Sequence, residues 1–369
     1  MVGDKQIQKA GDGSNQFQAE NVNLTIINGI DEKRAREVYS EMSAKAIQDC
    51  TDEATTRAME RIAQLERIVI PRIEQIESDF KSFADPSFQF LLKSAQKTAA
   101  CTEREADYQM LSELLVRRIE KGEDRKSKAS ITRAVEIVDQ IDDEALCGLT
   151  VAQAVNQWVP VTGHISEGLS VLNDLFASLA YRPLPKGFEW VYHLDLLNAG
   201  RVSSIGTFKK IKDYYPDTFS GYTCIGIEKN SDLYNKAIEE LAKANLSSDI
   251  LIDHELVENH VRIPVIDKNA ISQLNMNMRI PNSNVILRRK LTELEIEAIQ
   301  HVWDMYEQDE SRRTMVKNEF MKKWDLYEAL KMVRLWWDEL PHSFDITSVG
   351  KVLAHANAKR YNDKVPDLD

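Results

Sequence analysis

The chain has 369 residues, 43% of them hydrophobic and 29% charged, enough to bury a sizeable core in two or three domains. A formal net charge of −12 excludes broad, non-specific wrapping of nucleic acid, which needs a surplus of Lys and Arg, although a local basic patch is compatible with it. Cys50, Cys101, Cys147 and Cys224 form no CxxC pair and match no His spacing, which excludes the common zinc modules and fits reduced thiols.

No basic start followed by an apolar stretch opens the chain, so no signal peptide is expected. The most apolar window, Val171–Ala180, contains Asn173 and Asp174 and falls short of the roughly 20 apolar residues of a membrane helix. The expected setting is cytoplasmic, with no transmembrane segment.

Residues 1–30 read as an N-terminal β segment. Gly11-Asp12-Gly13-Ser14-Asn15 is a turn cluster, and Val22-Asn23-Leu24-Thr25-Ile26 alternates apolar and polar before the Asn28-Gly29 turn. Phe17 and Ala19 have the opposite parity, which predicts a bulge near Glu20-Asn21. A lone strand cannot bury itself. Either it docks on its own chain or copies pair with each other, which makes Phe17, Val22, Leu24 and Ile26 the candidate oligomerisation residues and a homo-oligomer the expected state.

Residues 31–185 read as an all-α domain. Asp31 is a predicted N-cap, and Met59, Ile62, Leu65, Val69, Ile73 and Ile76 keep helical spacing through a run that Pro71 should kink or restart. Thr102-x-x-Glu105 and Thr150-x-x-Gln153 read as capping boxes opening further helices, and Asp142-Asp143-Glu144 as another acidic helix start. Lys121–Lys128 reads as an exposed loop, and Gly163 with Pro183 and Pro185 breaks the series.

Residues 186–290 read as a mixed α/β domain with a small, mostly antiparallel sheet. Its predicted parts are a helix over Phe188–Ala199, a short second helix within Val202–Tyr214, a strand over Gly221–Glu228 and a helix from Asp232 to Ala244. A hairpin of Asp249–Leu256 and Val261–Ile266 follows. Residues 291–369 read as helices packed on that domain. Thr292-Glu293-Leu294-Glu295 is a third capping box, Pro341 stops the Trp-bearing Arg312–Leu340 stretch, and Thr347 or Ser348 caps Ser348–Tyr361. The fold class is therefore α+β.

Catalytic signals are absent. The chain has no G-x-S-x-G elbow, HExxH or dinucleotide glycine motif, and Gly11-Asp12-Gly13-Ser14 enters a strand where a phosphate loop would enter a helix with a Lys. His193 and Asp195 are two apart and would leave a helix on different sides. Asp253, His254, Glu255 and His260 surround the predicted hairpin, with Asp253 and Glu255 on one face, but a metal site would need further ligands. Cys147 and His164 have nothing to set them above two core residues. No catalytic, cofactor-binding or metal residue is therefore assigned, and no cofactor is expected. The 188–228 unit has the element order of a winged helix, which makes Lys209, Lys210 and Lys212 candidate nucleic-acid contacts. Three lysines neutralise phosphates but carry no base-reading pattern. The function expected is that of a self-assembling, non-enzymatic interaction or sensor/adaptor protein with a protein partner. A nucleic-acid-binding regulator and an enzyme of unrecognised class are the alternatives.

Three stretches carry a family resemblance. They are Ala10-Gly11-Asp12-Gly13-Ser14-Asn15-Gln16 leading to Ile27-Asn28-Gly29-Ile30, then Trp190-Val191-Tyr192-His193-Leu194-Asp195-Leu196-Leu197, then Phe344-Asp345-Ile346-Thr347-Ser348-Val349-Gly350-Lys351. In order and spacing they resemble an uncharacterised family of bacterial proteins of the LPO/Vpar type, across most of the chain. Similar N-terminal segments occur on bacterial proteins linked to anti-phage defence, and similar tails in abortive-infection-type proteins. The resemblance thus implies defence as a context and carries over no catalytic residue.

Overall fold

The computed structural model describes residues 31–47, 51–121, 124–203, 206–279 and 286–368. Helix α1 (Glu32–Ala46) opens on Asp31, whose side chain accepts from the Arg34 N–H at 2.7 Å. In α2 (Asp52–Ile76), Ile62, Leu65, Val69, Ile70 and Ile73 are buried at helical spacing. The helix runs through Pro71 without restarting. Pro71 and the Arg67 four residues before it, whose carbonyl loses its N–H partner, are both exposed residues. Next come α3 (Pro86–Cys101), α4 (Glu105–Glu120), α5 (Arg125–Ile137), α6 (Asp143–Gln157) and α7 (Ile165–Leu179).

Two of the three predicted capping boxes do not form. The Thr102 hydroxyl donates to Asp107 at 2.5 Å and leaves α4 to start beyond Arg104. Thr150 lies in mid-α6 and donates to the Leu146 carbonyl at 2.7 Å. Every residue of α6 from Ala145 to Val155 is buried, so the helix is apolar all round and no change of pattern marks its start. The predicted loop 121–128 is half helix, because Asp124 accepts from the Ser127 N–H at 2.7 Å and caps α5.

After α7, the helix predicted over 188–199 is α8 (Glu189–Leu196), and the one predicted within 202–214 is α9 (Ile211–Thr218). Between them β1 (Gly200–Val202) pairs antiparallel with the distant β7 (Phe344–Ile346), Gly200 opposite Ile346. Trp190, Val191, Leu194, Ile211, Tyr215 and Phe219 are buried in the same core as α1–α7. The two helices of the 188–228 segment are therefore buried in the helical body, while its end, Cys224 and Ile227, lies in a second core, so the segment does not pack as one local winged-helix unit.

A second core spans Cys224 to Tyr306. It holds β2 (Ile227–Glu228), α10 (Asp232–Lys243), β3 (Ile252–Asp253), β4 (His260–Arg262), β5 (Asn275–Arg279), β6 (Ile286–Lys290) and α11 (Glu293–Asp304). Strands β2, β4 and β3 form one antiparallel sheet in that order, and β5–β6 a separate hairpin, with Asn275 opposite Lys290. The strand expected over 221–228 is thus reduced to its last two residues. The Thr292 capping box forms in full.

Helix α11 packs on α10, but the later helices leave that core. Phe320 and Trp324 of α12 (Glu310–Trp324), Leu330 and Trp337 of α13 (Glu328–Asp338) and Leu353 of α14 (Ser348–Tyr361) are buried in the first core, α14 against α4, α5 and α6. An apolar stripe shows that a helix is buried and not which neighbour buries it. The whole is α+β, dominated by helices with small antiparallel sheets. Among the described residues no helix is long and apolar enough to cross a membrane.

The two cores meet at a close-fitting junction. A Cβ at Gly163 would lie 1.8 Å from the Pro264 carbonyl oxygen, so only glycine allows that backbone approach. Buried Arg262 donates to the carbonyls of Gly163 at 2.6 Å, Ile263 at 3.2 Å and Gly221 at 3.3 Å. Glu255, from the β3–β4 connection, accepts from the N–H groups of Ile165 at 2.6 Å and Ser166 at 2.9 Å, and from Lys323 at 2.9 Å and the Ser166 hydroxyl. It thereby caps the N-terminus of α7 from the neighbouring core. Burial alone would raise the Glu255 pKa, but the bonds from Ser166 and Lys323 overcome it and hold the carboxyl down at about 2.

Candidate ligand cleft

A cavity of about 480 Å³ lies between α2, α4 and α14, with Asp363 and Asp367 of the C-terminal tail, residues 362–368, on its lining. Ala354, Ala356 and Ala358 let α14 sit deep against α4–α6, and this places His355 beneath the tail, 2% exposed. Its Nε2 lies 3.0 Å from the Pro366 carbonyl. A carbonyl only accepts, so Nε2 carries the hydrogen and Nδ1 presents a lone pair. That lone pair has no partner among the described residues. Burial lowers the His355 pKa, which keeps the ring neutral.

The tail is pinned at two further points. Arg117 donates to the Leu368 carbonyl at 2.9 Å, and Lys359 pairs with Asp367 at 3.1 Å. The other cations around the cleft are also engaged. Arg72 pairs with Glu113 and donates to the Ser112 hydroxyl at 3.3 Å. Arg360 donates to Gln109 at 3.1 Å and Asn357 at 2.7 Å, while Asn357 donates to Thr150 at 2.8 Å. Two carboxylates differ. Glu120 and Asp363 line the cleft, are exposed, and have no hydrogen-bond or ion-pair partner among the described residues. Partial burial, with Asp367 and Glu113 nearby, raises the Glu120 carboxyl above its ordinary range.

The same tail lines a second groove on its other side. Val365 and Pro366 face Trp158, Val161, Val171 and Leu175 across about 410 Å³, and Val161 is fully exposed. One short segment thus forms a wall of a charged cleft and of an apolar groove.

The residues singled out from sequence lie elsewhere. Phe17, Val22, Leu24 and Ile26 fall outside the described residues. Lys209, Lys210 and Lys212 are exposed at the start of α9, with Lys209 tied to Asp217, which Lys317 also contacts at 2.6 Å. His193 accepts from the Asp142 N–H at 3.1 Å while Asp195 pairs with Arg201 at 2.9 Å, so the two serve different partners. Cys147 is fully buried and burial raises its thiol to about 11, leaving no thiolate for a nucleophile at neutral pH. His254 is buried with both nitrogens engaged, Nε2 to the Cys224 carbonyl at 2.9 Å and Nδ1 accepting from the Leu256 N–H at 3.1 Å. Asp253 pairs with Lys229 at 2.6 Å. Among the described residues no group of three or more His, Cys, Asp or Glu is placed to hold a metal.

The cleft itself was not anticipated. Its signals were a lone histidine in the alanine run of α14, and Arg117-Arg118 on the apolar helix α4, where both are buried. With this geometry established, the comparisons give one positive result. A family model described as ":-like" matches residues 29–369. The chain belongs to that family. The match spans Trp190–Leu197 and Phe344–Lys351, two of the stretches behind the Vpar-type likeness, while Ala10–Gln16 precedes it. No curated protein and no solved structure matches the chain.

Proposed function

We propose that this chain is a non-enzymatic sensor or adaptor that binds a small polar ligand in the α4–α14 cleft and signals the bound state through its C-terminal tail. The observation that carries the reading is the double use of residues 362–367. Asp363 and Asp367 line the polar cleft, and Val365 and Pro366 line the apolar groove behind it. A ligand that shifts the tail alters the exposed apolar surface, which is where a protein partner would read it. Self-assembly through Phe17, Val22, Leu24 and Ile26, a cytoplasmic bacterial setting and a role in anti-phage defence complete the proposal. These rest on the strand pattern and on the LPO/Vpar likeness.

Two measurements test it. Hydrogen exchange at 362–368 should change when a small-molecule panel yields a binder, and an exchange pattern indifferent to every binder removes the sensing step. Light scattering on the full chain should show an oligomer that dissociates on Val22→Asp with Leu24→Asp. A monomer, or an oligomer that ignores both substitutions, removes the assembly step.

A further inference from the structure

We infer that the β5–β6 hairpin is a nucleic-acid arm whose outer face seats in the major groove of duplex DNA, independently of the α4–α14 cleft. Residues 268–292 hold five cations, Lys268, Arg279, Arg288, Arg289 and Lys290, and no acid, in a chain whose net charge is −12. Two of the five are committed within the chain, Lys268 to Asp304 and Arg289 to buried Glu295. The antiparallel register sorts the rest. Asn275 lies opposite Lys290, Asn277 opposite Arg288 and Arg279 opposite Ile286, so alternation assigns these six positions to one face of a two-stranded ribbon. Met276 opposite Arg289 and Met278 opposite Leu287 belong to the other face.

That other face is anchored, since Met276 packs on the second core and Arg289 binds both oxygens of Glu295. The outer face is open. Asn275, Arg288 and Lys290 are exposed, and among the described residues Arg288 and Lys290 have no hydrogen-bond or ion-pair partner and the hairpin pairs with no other strand. Uncompensated cations on a narrow ribbon complement a polyanion with a groove. The major groove of B-DNA admits a two-stranded β-ribbon, whereas that of A-form RNA is too deep and narrow to be read. Alternate residues along a strand recur about every 6.8 Å, or two base-pair steps, so the Asn275, Asn277, Arg279 row keeps pace with the base edges. Arg pairs with guanine, Asn with adenine, and Lys reaches phosphate, a mixture that Lys209, Lys210 and Lys212 lack. An Asn amide offers a donor and an acceptor together, which a base edge matches; a lipid phosphate or an acidic side chain only accepts.

The test uses the full chain and a fluorescein-labelled DNA duplex of about 20 base pairs, followed by anisotropy from about 50 to 200 mM salt. Binding should saturate and weaken as salt rises. Arg288→Ala with Lys290→Ala should weaken it roughly tenfold or more and make the salt slope shallower by about 2. Both side chains are exposed, so circular dichroism and the melting temperature should not move. Replacing Lys209, Lys210 and Lys212 by Ala should leave binding unchanged. Methylating guanine N7 in the duplex should weaken it, because N7 lies in the major groove. No saturable binding, or binding that the hairpin variant leaves unchanged, overturns the inference, as does a loss of affinity in the lysine variant alone. Binding indifferent to guanine methylation, or tighter binding of duplex RNA, phosphatidylserine vesicles or poly-glutamate, overturns the DNA groove as the occupant.

Discussion

Glu255 and Glu120 carry the same side chain into opposite circumstances. Glu255 sits at the junction between the two cores with four donors, and its pKa falls to about 2. Glu120 sits on the cleft with no partner among the described residues, and its pKa rises. The buried histidines repeat the contrast, since His254 at the junction has both nitrogens bonded while His355 at the cleft has one. A polar group whose valences are all met within the chain is holding the fold together. Satisfaction is not complete at the junction either, since the Nε of buried Arg262 has no partner among the described residues, as His355 Nδ1 has none at the cleft.

Removing the junction carboxylate should have the largest effect. Glu255→Ala strands two N–H groups at the start of α7 and leaves Lys323 without its partner, so urea unfolding should show a loss of about 2–3 kcal/mol. A loss below about 0.5 kcal/mol would show that the junction does not depend on this cap. The pH dependence follows from the same residue. Its pKa is lowered from 4.5 to about 2 on folding, so the stabilisation is full above pH 4.5 and is lost as the pH falls from there through 2. Wild type should therefore weaken across that window more steeply than Glu255→Gln, as followed by acid titration of the melting temperature.

At the cleft the sign reverses. The raised carboxyl of Glu120 costs stability once ionised, so Glu120→Gln should stabilise at pH 7 by no more than about 0.5 kcal/mol, a difference that closes below pH 4.5. Destabilisation by this variant would mean that Glu120 has a structural partner after all. The smallest effect belongs to the lysines. Replacing Lys209, Lys210 and Lys212 by Ala should leave the melt unchanged within about 0.5 kcal/mol, because all three are exposed and Asp217 retains Lys317. A pronounced drop would place them in the helical wall rather than on its surface.

The features readable in the sequence were those written in a few neighbouring residues. Asp31, Thr292 and Thr347 cap helices as expected, since a cap is satisfied by donors two or three residues away. The same rule misplaced Thr150, because its box pattern recurs inside α6, where the hydroxyl finds the Leu146 carbonyl and, from 207 residues away, Asn357. Pairing of Gly200 with Ile346 left no local trace, because a three-residue strand has too few positions for alternation to show. The cleft was illegible for a related reason. Its walls come from α2, α4 and α14 and the tail, and a lone buried histidine reads as core until its neighbours are known.

The seat of α14 against α4, α5 and α6 also has a bearing on how the chain is made. Roughly 190 residues lie between the end of α6 at Gln157 and the start of α14 at Ser348. At ribosomal rates of about 5–20 residues per second, some 10–40 s pass before the helix that fills that seat exists. Through that interval the nascent helical body presents an open apolar trough in the place where Leu353, Ala354 and Ala358 will lodge. Helix α14 therefore reaches α4, α5 and α6 long after those helices are made. Until it arrives, the emerging chain is a natural client for a chaperone that holds exposed apolar surface.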